Sequence, residues 1–298
     1  MISLRSERLR VELPEPGECP NNTHRFDSAG FVSEVILDGS VRFCASEPRN
    51  LSHPCSGGRG LCSEFKSDRA NEVNVGMLFP KFGVGLIRKE DGRDYVFHRR
   101  YKEIIPYPVK ITADKSFAEF VTEPIECNGC AVRTVRRVEV EDASLTIRTE
   151  MCNAGVRSID LLEYCHNFIS IDGMALSDSY RWESPQLVQK TDCPVTDAQG
   201  VEVPVRRIEN GFRFARTDAT AFGFWVDMRD VAGGDCFDWR LTNDAARAFV
   251  EVHESFLPQR IQIWSSDHMI CPEVFKHICA APGESCVWTR RYRFDHMD

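Results

Sequence analysis

Two residues of this chain combine a titratable side chain with apolar surroundings, the setting in which proton transfer can be tuned to neutral pH. His166 lies in the stretch 160–172, Asp-Leu-Leu-Glu-Tyr-Cys-His-Asn-Phe-Ile-Ser-Ile-Asp, and Glu273 in Ile-Cys-Pro-Glu-Val-Phe. Side chains of a strand alternate between its faces, so Leu162, Tyr164, His166, Phe168 and Ser170 share one face. Leu161, Glu163, Cys165, Asn167, Ile169 and Ile171 share the other. A histidine between aromatic neighbours is either a hydrogen-bonded core residue or a pocket residue poised near neutrality. Glu273 is either a second candidate for chemistry or a solvated loop carboxylate.

Elements that could bring substrate to this pair are readable nearby. The strand expected over 260–266 puts Ile261, Ile263 and Ser265 on one face and Gln262, Trp264 and Ser266 on the other. Trp264 then either caps a core or offers the flat aromatic face on which sugar rings stack. Three further stretches are dense in polar groups: Thr23-His24-Arg25-Phe26-Asp27; the glycine-rich run 56–65 with Arg59 and Glu64; and 79–85, which sets Lys81 in an apolar strand. Each could grip hydroxyls. The glycine-rich run also reads as a surface turn and Lys81 as a snorkelling edge residue. His98-Arg99-Arg100-Tyr101 could receive an anion, or could be a solvated strand.

Composition narrows the function classes. The chain has 298 residues, 42% hydrophobic and 28% charged, with a net charge of −8. That balance suits a globular protein and disfavours nucleic acid, which needs a basic face. The first ten residues carry charge throughout and no long uncharged apolar run follows, so neither a signal peptide nor a membrane role is expected, and the expected location is cytoplasmic. Thirteen cysteines, an odd number, are then expected as thiols. The close pair in Glu-Cys-Asn-Gly-Cys, Cys127 and Cys130, reads as a hairpin turn rather than half a zinc site, because Cys193 and Cys236 have no Cys or His close to them in sequence. Asn21-Asn22-Thr23 and Asn50-Leu51-Ser52 match the glycosylation pattern without meaning in a cytoplasmic chain. No nucleophile elbow, zinc-protease helix or phosphate loop occurs, and no cofactor is expected. Gly83-Val84-Gly85 lacks the third glycine and the following helix of a nucleotide loop.

Short alternating runs separated by turn residues dominate, so the expected class is all-β: two large antiparallel sheets packed face to face in a single domain, 1–298. Strands are expected at 31–37 and 41–44 about Asp38-Gly39, at 117–122, 131–140 and 144–152, and along the His166 stretch. Further ones are expected at 186–190, 201–208, 212–216, 221–228, 247–252, 260–266 and 285–294. Segments 172–185 and 229–234 read as loops. Exposed edge strands leave a homodimer open.

With these residues in view, the chain resembles the galactose mutarotase-like superfamily, the aldose 1-epimerases and hexose-6-phosphate epimerases, and most of all a bacterial branch of it. The resemblance rests on Tyr164-Cys165-His166-Asn167-Phe168, on Phe26-Asp27 with Gly30, on 60–65, on Gly83-Val84-Gly85-Leu86, and on Cys271-Pro272-Glu273 before Pro282-Gly283-Glu284. It implies a β-supersandwich with a sugar cleft and interconversion of sugar anomers, His166 as acid and Glu273 as base. Arg25, Arg59, Glu64, Lys81, Asn167 and Trp264 would bind substrate, a sugar or sugar derivative. The family's earlier histidine has no counterpart in 81–88, where Lys81 would take its place. The alternative is a non-catalytic sugar-binding protein that keeps the cleft.

Overall fold

A computed structural model describes residues 1–19, 24–48, 55–66, 69–216 and 221–298. The two Asn-x-Ser/Thr tripeptides lie outside them, as does Thr23. Among the described residues the only helical segments are four short 3-10 turns, and every strand pairing is antiparallel. The all-β expectation holds. No helix there is long and apolar enough to cross a membrane.

Two sheets make the body of the fold. In the longer one, ten strands run in the order Val205–Ile208, Gly211–Phe214, Tyr180–Glu183, Phe237–Asn243, Ala248–Glu254, Ser285–His296, Ser144–Asn153, Val132–Glu141, Phe117–Thr122 and Val109–Ala113. The other has five: Phe222–Trp225, Arg260–Ser266, Met269–Ala280, Ile159–Phe168 and Gly60–Lys66. Ile159–Phe168, the His166 strand, is thus an inner strand. A four-stranded sheet near the N-terminus and a three-stranded sheet, Leu78–Lys81, Gly85–Arg88 and Ile104–Pro106, complete the described topology.

Period-two alternation decides what lies between the sheets. Ser144–Asn153 buries every second residue, Leu145, Ile147 and Met151 among them, against one core cluster that also takes residues from both ends of the chain. From the His166 strand, Glu163 and Asn167 point into this core. Arg290, on Ser285–His296, donates to both Glu163 oxygens at 3.0 and 2.8 Å and lies 3.0 Å from Glu254. The Tyr292 hydroxyl donates to Asn167 Oδ1 at 2.9 Å. The opposite face of the same strand, Tyr164, His166 and Phe168, is left for the site.

Several expectations are corrected. Met269–Ala280, Phe237–Asn243, Tyr180–Glu183 and Gly60–Lys66 are strands although they were expected as loops or not assigned, while 186–190 contributes only a single bridge, Leu187 to Val231. Pro272 explains the first. Proline argues against a central strand because it cannot donate to the ladder. Here the regular pairing with the His166 strand stops at His166 and Glu273, and the Asn167 side chain donates instead to the Pro272 carbonyl at 2.6 Å. The Cys127–Cys130 reading holds: Asn128 and Gly129 both have positive φ, 54° and 80°, in a two-residue hairpin turn that glycine adopts at no steric cost.

Candidate active site

Strand register assembles the site row by row. Across the five-stranded sheet, Gln262 lies opposite Glu273, Glu273 opposite His166, and His166 opposite Cys62. In the next row Arg260, Phe275, Tyr164 and Glu64 follow one another. Directly opposed residues hold their Cβ atoms about 4.5–5.5 Å apart, so side chains on one face must meet. They do. His166 Nε2 is 3.2 Å from Glu273 Oε1.

Aromatic rings fix the imidazole. His166 stacks on Phe168 with ring centres 3.9 Å apart and planes 1° from parallel, and the edges of Phe26 and Trp264 close in at 5.9 and 5.7 Å. Its Nδ1 is buried without a hydrogen-bond partner. Among the described residues no acceptor stabilises the imidazolium from behind. Burial, reinforced by the nearby Arg25 charge, pushes His166 well below the usual histidine range despite Glu64. Burial likewise lifts the Glu273 carboxyl, up to about 8, against the pull of Arg25. Both shifts disfavour charge on the pair and favour a proton on Glu273 over one on His166.

A buried charge cluster backs the pair. Glu64 Oε2 accepts from Arg25 Nε at 2.7 Å and from the Tyr164 hydroxyl at 2.6 Å, while Oε1 accepts from Lys81 Nζ at 3.1 Å. Arg25 also donates to the Tyr164 hydroxyl at 2.7 Å, and its guanidinium lies 4.2 Å from the Phe97 ring centre. Although burial opposes ionisation, Lys81 and Arg25 together hold the Glu64 carboxyl well below the usual carboxylate range. The cluster is a fixed base beneath the cavity.

The cavity itself measures about 270 Å³. Arg25, His166, Trp264 and Glu273 line it together with Glu47, Lys66, Phe97, Tyr164 and Gln262. Glu64 and Lys81 stand behind that lining. Lys81 is buried, not snorkelling, and its ammonium goes to Glu64 and, at 2.6 Å, to the Phe65 carbonyl. Two expected substrate ligands lie elsewhere. Arg59 donates to the Ser33 carbonyl at 2.9 Å and sits 3.5 Å from Glu34, and Asn167 is consumed in the core on the far face of its strand. Nor does Arg99 reach the cavity; Glu90 and Asp91 neutralise it at 2.7 and 3.0 Å. Tyr164 and Gln262 could have been found from alternation alone, since each shares a face with a residue already singled out. Glu47, Lys66 and Phe97 carried no such signal.

The glycine-rich run is not a surface turn but a tight strap. Glu47 accepts from the backbone amides of Gly57 and Gly58 at 3.0 and 3.2 Å and from the Ser56 hydroxyl at 3.0 Å. A Cβ on Gly58 would stand 2.2 Å from Phe168 Cζ. Gly58→Ala must therefore push aside the ring that orients His166. We expect a stability loss of about 1–3 kcal/mol, the usual cost of overpacking, accompanied by a fall in any activity of the site; denaturant unfolding and an activity assay on one preparation read both.

No family model matches the chain, and no curated protein matches it. Solved structures do. A galactose mutarotase-like protein from Lactobacillus casei superposes with a TM-score of 0.61 at 10% identity, covering 99% of this chain and 100% of the other. For a galactose mutarotase related enzyme from Lactobacillus acidophilus the values are 0.61, 12%, 100% and 98%, and for a galactose mutarotase-like protein from Clostridium acetobutylicum 0.57, 13%, 99% and 95%. At such identities the likeness is one of fold. This chain has the galactose mutarotase-like fold.

Proposed function

We propose that the protein is an aldose 1-epimerase-like enzyme, its domain spanning 1–298, that interconverts the anomers of a sugar or sugar derivative in the cytoplasm. The observation that carries the reading is the 3.2 Å contact of His166 Nε2 with Glu273 Oε1 at a small cavity beside Trp264. Ring opening of an aldose needs one proton delivered to the ring oxygen and one removed from the anomeric hydroxyl. Both oxygens are bonded to the same carbon, so the acid and the base must be neighbours. A volume of about 270 Å³ lies just under the usual range of small-molecule pockets, about 300–1,000 Å³, which suits one sugar ring rather than a polymer.

The protonation state orders the steps. Glu273 gives its proton to the ring oxygen as the bond from that oxygen to the anomeric carbon breaks, while His166 Nε2 takes the proton of the anomeric hydroxyl and the aldehyde forms. Rotation about the neighbouring carbon–carbon bond turns the other face of the aldehyde to the ring hydroxyl. The hydroxyl then attacks, its proton returns to the Glu273 carboxylate, and imidazolium His166 protonates the carbonyl oxygen. Carbon configuration is inverted and the pair is restored. Each group acts once as acid and once as base, and the opening step runs opposite to the assignment by resemblance.

This cycle has a pH signature. Below the depressed His166 value both groups are protonated and no acceptor remains; above about 8 the carboxyl is ionised and no donor remains. We expect kcat/KM for anomer exchange, measured by proton NMR across aldoses, uronic acids and hexose phosphates, to stay flat around pH 7 and fall about tenfold per unit beyond pH 8. Spontaneous exchange rises with base and is subtracted. An enzyme-catalysed rate that still climbs above pH 9 would rule this cycle out. A second reading, a sugar-binding protein without turnover, has in its favour that, among the described residues, His166 is the only histidine lining the cavity and that Lys81 stands behind that lining.

A further inference from the structure

On the outward face of the ten-stranded sheet, not the five-stranded sheet that carries the His166 pair, the hairpin Phe237–Asn243 and Ala248–Glu254 gathers a thiol, a carboxylate and an imidazole. Cys236 immediately precedes the first of these strands, and His253 is the cross-strand partner of Asp238. Donor atoms of all three lie within 4.8 Å of one another. We propose that Cys236, Asp238 and His253 bind a zinc ion.

Three observations support the assignment. Thiolate, imidazole and carboxylate together are the ligand types of borderline-soft Zn²⁺, and two anionic ligands balance its charge. The spacing fits as well. Zinc bond lengths of about 2.0–2.3 Å in tetrahedral geometry set ligand atoms about 3.3–3.7 Å apart; the three donor atoms lie within 4.8 Å of one another, and His253 Nδ1 and Asp238 Oδ1, now at 2.8 Å, separate as the metal replaces the proton between them. All three side chains are at least partly exposed and can make that adjustment. Finally, the carboxylate is already oriented. Gln186 Nε2 donates to Asp238 Oδ2 at 3.2 Å while Gln186 Oε1 accepts from the Asp238 backbone amide at 3.2 Å and from the buried Ser184 hydroxyl at 3.1 Å. Such outer partners are what fix metal ligands in place.

Three protein ligands leave the fourth tetrahedral position to water or an added ligand, the pattern of an open rather than a closed zinc site. Asp238 and His253 also line a cavity of about 430 Å³, which carries Glu183, Glu251 and Arg240 on its walls. An added anionic or neutral ligand could enter there. Sequence reading missed the group because His253 reaches Cys236 only through strand pairing.

The test is titration of chelator-treated, phosphine-reduced protein with cobalt(II), followed by displacement with zinc. We expect one equivalent with tetrahedral visible bands and a near-ultraviolet thiolate-to-cobalt band. Cys236→Ser should abolish the thiolate band, His253→Asn should weaken binding further than Gln186→Leu, and Gln186→Leu itself should cost about 10–100-fold in affinity. Thermal melts without metal check that each variant is folded. A thiolate band that persists in Cys236→Ser but disappears in Cys127→Ser would overturn the assignment, as would wild-type protein that takes up no cobalt at millimolar metal.

Discussion

Glu273→Gln should abolish anomer exchange, lowering kcat by about 10²–10⁴-fold, while sugar affinity changes little. Glutamine keeps the shape and a hydrogen-bonding oxygen but has no proton to give at neutral pH and cannot take one back. The burial that lifts Glu273 to about 8 presses its charged form out of the pocket, so a neutral amide is well tolerated there and the fold should stay intact. A protein that only binds sugar would show the opposite pattern, a modest loss of affinity with no rate to lose. Equilibrium binding by saturation transfer and exchange rates from the same samples separate the two.

Glu64→Gln should be the most destabilising of the site substitutions, by about 3–5 kcal/mol. Among the described residues its carboxylate is the only counter-charge bonded to Lys81, and it also holds Arg25; both cations are buried. Removing it leaves two like charges in a dry setting. Urea unfolding of wild type and variant measures the difference. Linkage gives the same residue a pH signature. Its folded value lies below the unfolded one, so its contribution is complete above about pH 4.5 and is lost as the pH falls below that. Glu64→Gln should therefore lose less stability than wild type between pH 5 and pH 3. Equal losses would mean that Glu64 is not the acid-labile member of the cluster.

How far the sequence revealed this site depends on which physical rule carried each residue. Alternation alone gave the face shared by Tyr164, His166 and Phe168 and the face shared by Gln262 and Trp264, because a pleated strand leaves no other choice. The same rule set Asn167 on the opposite face, and the core hydrogen bonds of its amide follow from that. Adjacency to a catalytic candidate was the weaker guide. Glu273 was singled out from its setting and strengthened by resemblance, yet its strand was hidden by Pro272, which has no amide to donate and whose carbonyl accepts from a side chain of another strand. The cluster of Arg25, Glu64, Lys81 and Tyr164 joins four distant segments, and no local pattern announces such a meeting. Lys81 is the clearest case: edge-strand lysines usually reach solvent, but here Glu64 sits within 3.1 Å and captures the ammonium inside.

The most direct test of the central claim compares wild type with His166→Ala by one-dimensional proton exchange between α and β anomers, over a panel of aldoses, uronic acids and hexose phosphates. Catalysed exchange of at least one sugar by wild type, absent in a folded His166→Ala, is the expected result and names the substrate. Exchange that survives unchanged in His166→Ala, or wild type that binds sugars without accelerating any of them, would contradict the assignment of the His166–Glu273 pair as the catalytic centre.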